Sequence, residues 1–173
     1  GPVVPIYMVD RLDMSYTQVS IARSIIGQLG IVIIAPFAGR ALDKSGIFAF
    51  TGKYFLVLAL FPATFLVANC FASTNAIWAY MAFAFYAIAM AGIAISWNLG
   101  SINFAERGRE NVYQSVHLTL TGLRGIVSPF LGIAMMGFAG FSSTFVIATF
   151  LLIAGGTLMF ASSSDSDGTR LAK

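Results

Sequence analysis

Long uncharged apolar runs, broken by short islands of charge, constrain this chain more than any other feature. From Tyr54 to Ala105 no side chain carries a formal charge, and a second such run extends from Gly125 to Ser164. About 20 consecutive apolar residues span the hydrocarbon of a bilayer, whereas one ionised side chain there costs at least about 2.5 kcal/mol. Charged residues make up 10% of the chain, against about 25% in a soluble domain. The expected fold class is therefore an all-α integral membrane protein.

The runs and breaks predict five complete transmembrane helices, over about 16–41, 48–71, 77–104, 111–136 and 141–161. Val3 to Val9 is too short to span and reads as part of a sixth helix. Residues 1–162 then form one helical bundle, and the polar stretch 163–173 a disordered tail. Ser15 or Thr17 is placed to cap the first complete helix, and Gly46 with its charged neighbours to end it. Pro62 predicts a kink in the second.

Short loops rich in Lys and Arg stay in the cytoplasm. Arg40, Lys44 and Lys53, then Arg107 and Arg109, then Arg170 and Lys173 all fall on one side of five alternating helices. The other side offers Arg11, balanced by Asp10 and Asp13. The expectation is a bacterial inner membrane with the tail and both basic loops cytoplasmic.

The stretch 111–136 carries a histidine and an arginine inside an apolar run. At 100° per residue, Gln114, His117, Thr121, Arg124 and Ser128 fall at about 60°, 0°, 40°, −20° and 20°, one polar stripe. An ionisable group at this depth usually faces a bundle interior or a watery path, which makes the stripe a candidate lining of a solute pathway. The competing reading has Arg124 snorkelling to an interface and His117 bonded to a backbone carbonyl. Arg23, about 10 Å into the first complete helix, divides between the same two readings. Asn98 and Trp97 on the third helix are weaker pathway candidates: a buried amide often bonds a neighbouring helix, and an aromatic ring often packs there. Gly122, Gly125 and Gly132, with Pro129, are expected to set close packing and a bend.

Several functions are excluded. The net charge of +3 is small and dispersed, which argues against nucleic acid. One cysteine (Cys70) and one histidine supply no expected metal site, and no cofactor is implied. Glu106 to Glu110 is a mixed-charge loop with no phosphate-cradling glycines, and no nucleophile–base–acid set points to an enzyme.

The turn Gly39-Arg-Ala-Leu-Asp43-Lys44-Ser-Gly46 resembles the loop signature of the major facilitator superfamily, G-x-x-x-D-[RK]-x-G-[RK]-[RK]. Ile47 and Phe48 stand where the family has its final basic pair. PVVPIYMVDRLDMSYTQVSIARS looks like the outer end of a first or seventh helix, its loop and the helix after it. HLTLTGLRGIVSPFLG is similar to the eleventh helix of some bacterial members, and the weakened loop signature points to the carboxy-terminal half. The resemblance covers nearly the whole chain.

It implies half of a major-facilitator-type bundle in which substrate binds near the midplane between two six-helix halves. This chain would then form one wall of a secondary active transporter that moves a small solute by alternating access. Arg124 would favour an anionic solute, and His117 would offer proton coupling, since an imidazole exchanges protons near neutral pH. Gly39, Asp43, Lys44 and Gly46 would form the gating loop, although without the basic pair Asp43 reads equally as a loop cap. The expected partners are lipid, the solute, and a second six-helix half or a copy of this chain. The alternative is a structural or assembly subunit of a larger membrane complex, built on half a transporter fold and partnered by other membrane subunits.

Overall fold

The computed structural model describes residues 2–69, 75–103, 105 and 108–171. Cys70, residues 71–74, Phe104, Glu106, Arg107 and Lys173 lie outside the described residues. Every regular element among the described residues is helical: α1 Val3–Asp10, α2 Tyr16–Ser20, a π-helical segment Ile21–Leu29, α3 Gly30–Ser45, α4 Ile47–Ala68, α5 Asn75–Asn103 and α6 Glu110–Leu171. Four helical runs among them, the last broken at Gly140, are long and apolar enough to cross a membrane: Tyr16–Ser45, Ile47–Ala68, Ala76–Gly100 and Glu110–Ser163.

Local chemistry sets several of these boundaries. The Ser15 side chain accepts from the Gln18 N–H, while the Gln18 side chain accepts from the Ser15 N–H at 2.9 Å. This capping box satisfies donors that a new helix leaves unpaired. Of the two expected caps, Ser15 is the one used. Gly46, at φ +68°, is at once the last residue of the α3 turn and the entry to α4. A side chain at that φ is strained, so glycine permits the reversal within one residue.

The sequence reading differs from the structure along two stretches. Its division of 111–136 from 141–161 has a counterpart in α6, whose helical run is broken at Gly140, with φ 76° and ψ 175°. It treats 16–41 as a plain α-helix, but Ile21–Leu29 is π-helical, a distortion that hydrophobic periodicity does not reveal. It expects disorder from residue 163, whereas α6 is helical to Leu171. Ser162 and Ser163 donate back to the Leu158 and Phe160 carbonyls, so the hydroxyls at the start of that stretch are satisfied inside the helix.

Packing follows the rule for helices in lipid, where close contact and hydrogen bonds hold elements together because apolar burial gains little. A Cβ on Gly92 would lie 2.3 Å from the Tyr54 ring, so α4 and α5 meet at a position only glycine tolerates. α4 and α6 approach likewise where a Cβ on Gly52 would lie 2.9 Å from the Gly156 carbonyl oxygen. The glycines expected to do this, Gly122 and Gly125, have no atom within 4 Å of an added Cβ; Gly132 alone of the three meets a neighbour, Val3 at 3.2 Å. At one end of the bundle the Tyr7 hydroxyl donates to Asn69 Oδ1 at 2.6 Å. The Tyr7 ring stands edge-on to Phe65, Phe141 and Phe145, which ties α1 to α4 and to the second part of α6.

The first part of α6 packs differently. Leu118, Leu120, Leu123, Ile126 and Phe130 are all exposed, Phe130 by 70%. It stands at the edge of the bundle, with apolar side chains left exposed among the described residues.

Candidate functional site

The polar stripe on α6 meets α5 at one place. The Arg124 guanidinium lies over the Trp97 ring, 4.3 Å from its centroid. A helical side chain leans toward its own N-terminus, so Arg124 reaches back along α6 to the level of Trp97. Stacking there leaves the positive charge on an aromatic face, an attraction worth about 0.5–1 kcal/mol where water reaches it and about 2 where it does not.

Beside this pair runs a groove of about 360 Å³, lined by Ser96, Trp97 and Gly100 of α5 and by Tyr113, Val116, His117 and Leu120 of α6. The α6 positions recur every three or four residues, and Arg124 continues the same series one turn further. The wall of the groove is fixed from behind. The Thr51 hydroxyl of α4 shares its one proton between the Ile47 carbonyl of its own helix, at 2.6 Å, and Ser96 Oγ, at 3.0 Å, and Ser96 donates to the Gly92 carbonyl at 3.2 Å. Both hydroxyls are buried, so this chain of bonds locks α5 against α4 at the level of the groove.

Three of the expected pathway residues, Trp97, His117 and Arg124, are thus brought together. Gln114, Thr121 and Ser128 share their side of α6 but do not line the groove. Asn98 turns away, its amide donating to the Ala94 carbonyl of its own helix at 2.7 Å. Arg23 sits elsewhere, with Gln28, in a small cavity of about 100 Å³ walled by Val4, Pro5, Phe61, Phe83 and Tyr86. That cavity borders the π-helical segment and is separate from the Trp97 groove.

In the turn expected to gate, Asp43 is exposed, and among the described residues it has no ion pair. Gly39 has open space where a Cβ would stand, and Lys44 lines a further groove between α3 and α4. Ser96, Gly100 and Tyr113 are groove residues that the sequence reading passed over. Their signals were present: Gly92, Ser96 and Gly100 recur every fourth residue, and Tyr113 precedes His117 by one turn.

Chemically, the site offers a fixed cation, an aromatic face, an imidazole and a phenol along a mostly apolar groove. The chain matches no family model, no curated protein and no solved structure.

Proposed function

We propose that this chain forms one wall of the pathway of a secondary active transporter of the major facilitator type, moving a small anionic solute. One observation carries the reading: Arg124 held over Trp97 beside a groove that also contains His117, on a helix at the open edge of the bundle. A cation kept at membrane depth on an otherwise apolar helix is costly, and a pathway lining is its usual reason. The exposed apolar flank of α6 gives a second half of the transporter a surface to meet.

The proposal includes the topology of five spans and part of a sixth. A straight helix from Glu110 to Ser163, 54 residues, would be about 81 Å long, against a hydrocarbon thickness of about 30 Å. The break at Gly140 supports a reversal there, with one span on either side. The basic residues then lie on the cytoplasmic face of an inner membrane.

Native mass spectrometry of the protein extracted from its membrane tests the reading. A homodimer, or a pair with a second six-helix chain, is the expected result. A fixed place in a multi-subunit assembly with no matching half would overturn it and make the Arg124–Trp97 edge a docking surface for an assembly partner.

A further inference from the structure

The structure assigns a binding site for an anionic phospholipid to the groove between α3, α4 and α5, at the end of the bundle marked by Gly46. The groove has a volume of about 520 Å³ and is lined by Ala41, Lys44, Ser45, Phe50, Lys53, Tyr54, Val57 and Ile88. Among the described residues, two lysines are its only charged lining, and Asp43, though next to Lys44 in sequence, does not line it. Ser45 donates to the Ala41 carbonyl at 2.8 Å, which commits its proton and leaves the ammonium groups as the donors for a phosphate.

The two kinds of lining are ordered along the groove. Lys44 and Ser45 belong to the turn at the helix ends, Lys53 stands two turns into α4 at the level of Tyr54, and Val57 and Ile88 lie deeper in their helices. Phe50, Lys53, Tyr54 and Val57 recur as one face of α4 over two turns, roughly 10 Å of a leaflet whose hydrocarbon is about 15 Å deep. Phosphate between the two lysines, with the Lys53 stem reaching toward the mouth, and an acyl chain along Val57 and Ile88 match that order. A free phosphate would use the lysines and leave the apolar wall empty; a neutral lipid would use the wall and leave the lysines unpaired. Basic grooves between helices at a membrane face bind anionic headgroups for these reasons.

The test is lipid competition, read by native mass spectrometry on the protein in the assembly in which it is extracted. Phosphatidylglycerol and phosphatidylcholine with identical acyl chains are offered together. The expected result is preferential retention of phosphatidylglycerol, reduced on the order of thirtyfold in the Lys44→Gln, Lys53→Gln double variant. The Lys44→Arg, Lys53→Arg variant retains the preference, which separates charge from folding. Inorganic phosphate at millimolar concentration leaves the lipid in place. Equal retention of both lipids by the unaltered protein, an undiminished preference in the glutamine variant, or displacement by phosphate overturns the assignment. If the glutamine variant does not assemble, the competition in the unaltered protein decides alone.

Discussion

The Arg124 guanidinium rests 4.3 Å above the centre of the Trp97 ring, joining α6 to α5 across the edge of the candidate groove. If the pair binds solute, charge and ring contribute unequally. Arg124→Gln removes the charge and is expected to weaken binding of a small carboxylate at least about tenfold. Trp97→Leu removes only the ring's attraction and is expected to cost about two- to fivefold. Quenching of Trp97 fluorescence in a Trp78→Phe background, titrated with a panel of small carboxylates, reads the first variant directly. Unchanged affinity in Arg124→Gln together with reduced thermal stability would make the pair a structural clamp and remove it from the pathway.

Two glycines on neighbouring helices predict opposite outcomes for the same substitution. Gly92→Ala drives a methyl group into the Tyr54 ring, 2.3 Å from the added Cβ, and is expected to destabilise by about 1–3 kcal/mol. Gly122→Ala meets nothing within 4 Å and adds helix propensity, so its effect is expected within about 0.5 kcal/mol or slightly stabilising. Thermal unfolding in mild detergent distinguishes them. Equal losses at both positions would show that α6 is covered at Gly122 by a partner.

Periodicity was enough to place the polar stripe on α6 and to find the helical runs, because a run of apolar residues long enough to span has one structural solution. It was enough to find Arg124 and Trp97 separately; pairing them needed the α5–α6 packing, which no local pattern encodes. Asn98 shows the same dependence on packing. Its neighbour Trp97 faces the groove, and a step of 100° along a helix turns the next side chain aside, where its amide bonds Ala94. The π-helical stretch at Ile21–Leu29 was invisible, since adding one residue per turn leaves composition and polarity unchanged. Close packing was expected at Gly122 and Gly125 but falls on Gly52, Gly92 and Gly156, because small residues announce close packing without saying which partner approaches.

Tyr7 and Asn69, on α1 and α4, give a measurable value for the contact that holds the short first helix. Their hydrogen bond is 2.6 Å long, and the Tyr7 ring is buried. Tyr7→Phe keeps the three edge-on ring contacts and removes only the hydroxyl. A double-mutant cycle with Asn69→Ala is expected to give a coupling energy of about 0.5–1.5 kcal/mol in detergent unfolding. Additive losses would show that the hydroxyl is satisfied instead by the Phe65 carbonyl, which lies 3.2 Å away.

The break at Gly140 and the turn at Gly46 are predicted to lie on opposite faces of the membrane. Both glycines hold a positive φ, at 76° and 68°, and each joins two apolar runs that a bilayer cannot accept end to end. With Cys70 first replaced by Ser, a single cysteine at Ser142 and another at Ser45 report the two faces. A membrane-impermeant maleimide added to intact cells is expected to label Ser142→Cys and to leave Ser45→Cys unlabelled until the membrane is opened. Labelling of both before opening would contradict the alternating topology, and labelling of Ser45→Cys alone would invert it. Gly140→Ala sharpens the result, because a Cβ at that φ costs about 1–2 kcal/mol. A chain that straightens there places Ser142 within the hydrocarbon, so its cysteine becomes unreactive from either side.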